Sequence, residues 1–306
     1  MAHLACHPDE TVSWEAFKRV AAPAAALDGY VAGPTRANPT HATFDHHAEV
    51  DRLATRATCE QVAVSIRFGP LPVLADPSKL TVHVNHADED VALSVWLLDN
   101  QHRVDDHSIW RLVHAEGILD TTGGCCVPAE DRAFIEQLAW IFAPCKERRT
   151  TATGMAATIA TVGERLDRYA EGRAEREPAG VGYRLIERRG PIAAIEEYGV
   201  LSRVSLSADG IDVYVSLREL DDRQEVTIGK TSPRPDFDLS AAFEELNLRE
   251  EAEPNDSWGG SSMIGGSPRA SGTDLTLEVI LDVLEHSRTE ATGPFLVETG
   301  PLPDIY

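Results

Sequence analysis

The chain has 306 residues, enough for two domains each with its own core. Its 42% hydrophobic and 25% charged composition is that of a folded globular protein, and disorder as a global description is excluded. Twenty-eight Lys and Arg against 50 Asp and Glu give a net charge of −22. Such a surface repels a phosphate backbone, so long nucleic acid is excluded as a partner, while a local basic pocket for a small-molecule anion is not.

No apolar run reaches the roughly 18 residues that a membrane helix needs. The start, MAHLACHPDETVSWEAF, lacks a basic segment followed by an apolar stretch. The expectation is a cytoplasmic protein with no membrane partner, compatible with a homodimer. Cys6, Cys59, Cys125, Cys126 and Cys145 form an odd set without a C-x-x-C pair, which argues against disulfides and a zinc knot. The adjacent Cys125 and Cys126 read as small packing residues.

In chain order, residues 1–150 read as alternating strands and helices. Thr58-Cys59-Glu60-Gln61 has the form of a capping box, followed by an apolar stripe at Cys59, Val62, Ala63 and Ile66. Leu80–Asn85 alternates as a half-buried strand, runs into the acidic turn His86–Asp90, and resumes as a helix at Val91–Leu98. A strand that delivers polar residues to a turn opening a helix is where α/β folds build sites. Met155, Ile159, Val162, Leu166 and Tyr169 share one helical face, and the charge run Glu171–Glu177 ends at Pro178. Residues 151–178 are therefore read as a connecting helix and linker, and 179–306 as a second, smaller mixed α/β domain. Its strands are expected at Tyr183–Glu187, Ile192–Tyr198, Ile211–Leu217 and Glu225–Ile228, and its helices at Leu239–Glu250 and Thr276–Ser287. The tail from Gly293 reads as a loop or edge segment.

Four stretches carry chemistry. Asp45-His46-His47 sets imidazole and carboxylate side by side, which suits a borderline divalent metal and equally suits a polar loop. His83, His86, Asp88 and Asp90 can converge on one or two ions; the alternative is an acidic helix start with Asp90 as cap. Asp120-Thr121-Thr122-Gly123-Gly124 reads as an aspartate at a strand end with room beside it, or an ordinary turn. Gly265-Gly266-Ser267-Pro268-Arg269 precedes a helix, and its glycines with Arg269 favour an anion over a plain hairpin. Ile228-Gly229-Lys230-Thr231 lacks the first glycine of a phosphate loop, where Gln224 stands. His102, Asp105, Asp106 and His107 fall in a stretch, Asn100–Ser108, that reads as exposed loop.

Together these stretches resemble the DHH phosphoesterase superfamily. Asp45-His46-His47 matches the naming triplet, and Ala57–Val62 is similar to the helix start that follows it. His83 or His86 with Asp88 and Asp90 is similar to the H-x-x-x-D-x-D motif, Asp120–Gly124 to the D-T-G turn, and Gly265–Gly272 to the glycine loop of the second domain. The order is rearranged, with the triplet ahead of the acidic motif, and Ser267 stands where the family has histidine.

The resemblance implies a DHH-like parallel-sheet N-terminal domain holding two divalent metals, usually Mn2+, with Fe, Co or Zn as other options. His86 or His83, Asp88 and Asp90 would hold one side, and His46 and Asp120 the other. Asp45 would orient His46 and His47 would face a phosphoryl oxygen, making Asp45, His47 and Asp88 the catalytic set. Asp28 is a candidate for the bridging carboxylate, and Gly265, Gly266, Ser267 and Arg269 would bind substrate. The expected function is a metal-dependent hydrolase of a small phosphorylated or anionic compound. Redox or lyase chemistry on a non-phosphate metabolite, or a non-catalytic ligand-binding protein, are the alternatives.

Overall fold

A computed structural model describes all residues except 48, 70–71, 127–130, 148–150, 179, 181, 199–201, 220–222, 233–236, 254–255, 269–270 and 289–306. The fold is mixed α/β and carries two sheets. The first half contains β1 (His3–Cys6), α1 (Trp14–Phe17), β2 (Ala24–Leu27), β3 (Arg36–Ala37), β4 (His41–Phe44), α2 (Thr58–Arg67), β5 (Thr81–Val84) and α3 (Glu89–Asp99). Helices α4 (His107–Thr121), α5 (Arg132–Phe142) and α6 (Ala152–Ala170) follow. The second half contains β6 (Tyr183–Arg189), β7 (Ile192–Glu197), α7 (Ser202–Ala208), β8 (Val213–Glu219), β9 (Gln224–Lys230), α8 (Leu239–Glu250), β10 (Gly259–Gly260), β11 (Ile264–Gly266) and α9 (Leu277–His286).

The first sheet has the order β1-β5-β2-β4-β3, parallel except for the edge strand β3. Parallel strands linked through helices are covered on both faces, which explains why β2 and β4 are buried at every position. Ala25, Leu27, Ala42, Phe44, Val82 and Val84 pack under α2–α6, whereas Ala24 and Ala26 face Phe17, Tyr30 and Val31. The strand at 81–84 is thus central and nearly fully buried, not half-buried as its alternation suggested.

The second sheet has the order β10-β11-β9-β8-β7-β6 and a single parallel pair, β7 with β8. Helices α8 and α9 close its core over Ile192, Val213, Val215, Val226 and Ile228. The four expected strands and two expected helices of this half are present within a few residues. Residues from Gly293 lie outside those described.

Three local readings are corrected. Asp120 does not end a strand: Gly117-Ile118-Leu119 before it is the last part of α4, whose buried stripe runs Ile109, Leu112, Val113, Glu116 at helical spacing and leads to the part-buried Asp120. Thr58 is not a capping residue either. The cap position falls on Ala57, which offers no side-chain acceptor, and the Asp90 carboxylate takes the amides of Thr58 (2.8 Å) and Cys59 (2.7 Å) instead. The Asn100–Ser108 stretch contains a short 3-10 turn at Gln101–Arg103 and the first residues of α4, with Asp106 at the cap position.

Candidate metal centre

Parallel pairing sends the ends of β5, β2 and β4 to one edge of the sheet. Leu27 is level with Phe44, and the Asp28 amide donates to the Phe44 carbonyl at 2.8 Å. Asp28 leaves β2 with φ +50° and Gly29 follows at +87°, a left-handed turn that a non-glycine residue seldom adopts. Asp45, His46 and His47 leave β4 alongside, and His86, Asp88 and Asp90 leave β5 into α3. Ligands collect at such carboxyl ends because loops there converge while helix N-termini face them.

Asp28 lies at the centre of what is assembled. Its Oδ1 accepts from the Thr58 hydroxyl (2.8 Å) and lies 3.5 Å from His46 Nε2 and 3.3 Å from His47 Nδ1. Its Oδ2 is 2.8 Å from His86 Nε2, which is itself 2.9 Å from Asp88 Oδ2. His46 Nε2 is 2.8 Å from Asp120 Oδ2 and 3.9 Å from Asp90 Oδ2. Three groups could therefore each hold an ion: Asp28, His46 and His47; Asp28, His86 and Asp88; His46, Asp90 and Asp120. They are linked through Asp28 and His46 into one continuous constellation. Asp28, Asp45, His46 and Asp90 are buried, while His47 and Asp88 open to solvent.

The electrostatics describe a site short of positive charge. Burial works against charging His47, yet Asp28 and Asp45 hold its pKa up to about 11. Burial likewise opposes His86, but Asp88 and Asp28 raise it to about 10. The same pairings outweigh desolvation at Asp28 and Asp88 and pull both below the usual carboxylate range, Asp28 well below. Asp90 goes the other way: burial and the charges of Asp120, Asp28 and Asp88 push it well above that range.

The donor set fits a divalent metal. It mixes imidazole with carboxylate oxygen. His46 Nδ1 is buried without a hydrogen-bond partner, and the Nε2 of His46 and Oδ2 of Asp120 lie 2.8 Å apart without hydrogen-bond geometry, an expensive arrangement unless something else coordinates them.

Several expected roles change. His83 does not join the constellation. Strand alternation puts Val82 and Val84 under the helices and turns His83 to the opposite face. There its Nδ1 is 3.0 Å from His7 Nε2, its ring lies against both His7 and Tyr30, which also stack on each other, and Phe17 meets it edge-on. Burial, then the neighbouring imidazoles, lowers its pKa to about 4. Asp45 does not orient His46; its Oδ1 takes the Nδ1 (3.1 Å) and amide (3.2 Å) of His47.

The glycine loop begins as a strand. Gly265 and Gly266 lie in β11 and pair with both β9 and β10. A Cβ on Gly265 would come within 2.4 Å of the Gly259 carbonyl and of Phe243, so this glycine serves close strand packing. The Ser267 amide and hydroxyl both bond Val226 (2.9 and 3.1 Å). Arg269 lies outside the described residues.

Two residues were not expected. Arg52 Nη2 donates to the Asp120 Oδ1 (2.9 Å) and carbonyl (3.0 Å). Glu116, one turn before Asp120 on the same face of α4, is buried, and burial with nearby Glu89, Asp120 and Asp90 pushes its pKa well up. Helical periodicity through 109–120 was the signal for Glu116; Arg52 had none.

No family model and no curated protein matches the chain. Among the described residues no helix is long and apolar enough to cross a membrane.

Proposed function

We propose that the chain is a metal-dependent hydrolase of phosphoesterase type, acting on a small phosphorylated or otherwise anionic compound through a two-metal centre, with Mn2+ the first candidate and a DHH-like scaffold. The observation that carries this reading is the linkage of three ligand groups through Asp28 and His46 at the carboxyl edge of a parallel sheet. Under it, Asp28, His46, Asp90 and Asp120 hold one side and Asp28, His86 and Asp88 the other.

Bound divalent cations would supply the Lewis acidity that activates water and neutralises a phosphoryl group. The protein's part is alignment. Arg52 fixes the direction of the Asp120 carboxylate, and the amides of Thr58 and Cys59 fix Asp90. Asp45 and Asp28 pin His47 through Nδ1, which leaves Nε2 at the solvent-facing side to donate to a substrate oxygen. A net charge of −22 disfavours long polyanions, so the substrate is a small one.

The test is metal analysis of the purified chain, followed by a phosphatase and phosphodiesterase screen with and without added Mn2+. Retained divalent metal and Mn2+-dependent phosphate release, both lost in Asp120→Ala, are expected. A chain that binds no Mn, Fe, Co or Zn, or binds it and releases no phosphate from any phosphoester, defeats the reading.

A further inference from the structure

The metal ligand contributed by α4 sits in that helix's last turn, where helices fray because the terminal carbonyls lack intrahelical partners. A carboxylate on a fraying turn binds a cation poorly, since ordering it is charged against the binding energy. Arg52 holds Asp120 from within the first half. The residues that immediately follow are held from the second half.

Arg203 on α7 makes the central contact. Its Nη1 donates to the Gly123 carbonyl at 2.9 Å. The guanidinium is itself fixed by Glu197 at the end of β7, through Nε (2.6 Å) and Nη2 (3.3 Å), and lies 5.2 Å from the Tyr214 ring centre. Ile264 of β11 packs so closely that a Cβ on Gly123 would meet its Cδ1 at 3.1 Å. The Cys125 thiol donates to the Lys230 carbonyl at 3.4 Å. The turn is tight: the Gly123 amide returns to the Asp120 carbonyl (3.0 Å) and the Gly124 amide to Leu119 (2.7 Å), with both glycines left-handed.

We infer that Arg203 is a positioning residue for the metal centre, clamping the Gly123 carbonyl so that Asp120 is presented to the ion, and that docking of the second sheet is thereby coupled to cation affinity in the first. The inference rests on the metal reading above for its consequence, but its structural content stands apart from it. By linkage, a cation that binds better to the docked turn also stabilises the docking.

The experiment compares the full chain with Arg203→Met, Glu197→Gln and a control, Arg189→Gln. Arg189 pairs with Glu187, Asp282 and Glu285 of the second half and does not touch the turn. Mn2+ titration by calorimetry and peptide-level hydrogen exchange over 118–126 without metal are the two readouts. Arg203→Met and Glu197→Gln should weaken Mn2+ about 10-fold, the low end of what supporting residues contribute, and should speed exchange of the turn. Arg189→Gln should do neither, even where it lowers the melting temperature. Unchanged exchange in Arg203→Met overturns the clamp, as does equal weakening by Arg189→Gln. A parent chain that binds no Mn2+ refutes the metal reading instead, and the exchange data alone then decide whether the clamp exists.

Discussion

The Asp90 carboxylate, at the start of α3, accepts the first two amides of α2 from Thr58 and Cys59 while lying 3.9 Å from His46. One side chain therefore serves both a helix end and the candidate metal centre. Its two duties respond oppositely to a cation. Without one, Asp90 is crowded by Asp120, Asp28 and Asp88. Asp90→Asn removes that repulsion and keeps an acceptor for one amide. In chelator-treated protein the variant should melt within about 1 kcal/mol of the parent or above it; with saturating Mn2+ it should melt clearly below. Paired thermal melts with EDTA and with Mn2+ read this directly, and identical shifts in both conditions would count against a bound ion.

Asp28 is the one ligand common to both sides of the proposed two-metal centre, so its loss should be the most damaging single change. Asp28→Asn is expected to weaken Mn2+ by more than about 100-fold, beyond the 10–100-fold typical of supporting residues. Calorimetry is the measurement, with Asp88→Asn expected to do less because it belongs to one group only.

Metal loading should expel protons. His86, a ligand in the proposed assignment, holds its proton up to about 10, and a ligating imidazole must be neutral. At pH 7.5, at least about one proton should leave per chain on saturation, seen as a buffer-dependent enthalpy of Mn2+ binding. Metal affinity should rise with pH.

The metal-free protein behaves in the opposite sense. Raised imidazole pKa values contribute stability that is complete below about pH 6.5 and drains away as pH climbs toward 10 to 11. The depressed Asp28 and Asp88 add stability above their ordinary value of about 3.8, lost on acidification. Chelated protein should therefore melt highest between about pH 4 and 6.5 as far as this site decides, and Mn2+ should move the optimum upward. Melting scans across pH check it.

His83 gives the reverse control. Stacked with His7 and Tyr30 on the other face of the sheet, it should matter for stability and not for metal. His83→Ala is expected to cost about 1–3 kcal/mol in denaturant melts with Mn2+ affinity unchanged.

The sequence made the fold class readable because strands and helices differ in apolar period, as at Met155–Tyr169 and 213–217. Ligands next to one another in the chain, such as His46 with His47 or Asp88 with Asp90, were readable too. What was not readable depended on which way a side chain points after the chain folds. His83 and His86 look interchangeable in sequence, yet the first lies inside β5 and is turned away by the pleat, whereas the second lies past its end. Asp28 carries no neighbouring histidine or carboxylate, and its importance comes only from the parallel register of β2 with β4 and β5. Asp120 was found with the wrong surroundings, because a Gly at 117 broke the apparent helix pattern. The Glu60 side chain lies over that glycine, its Cδ 2.6 Å from where a Cβ would stand.

The sharing of Asp90 between two helices also has a temporal side. A ribosome releases α2 well before α3, so the nascent α2 begins with bare amides and acquires its acceptor only when β5 has threaded between β1 and β2. The candidate site and the first turn of that helix must then mature together, late in the assembly of the sheet, and a fragment cut anywhere ahead of residue 90 would have neither.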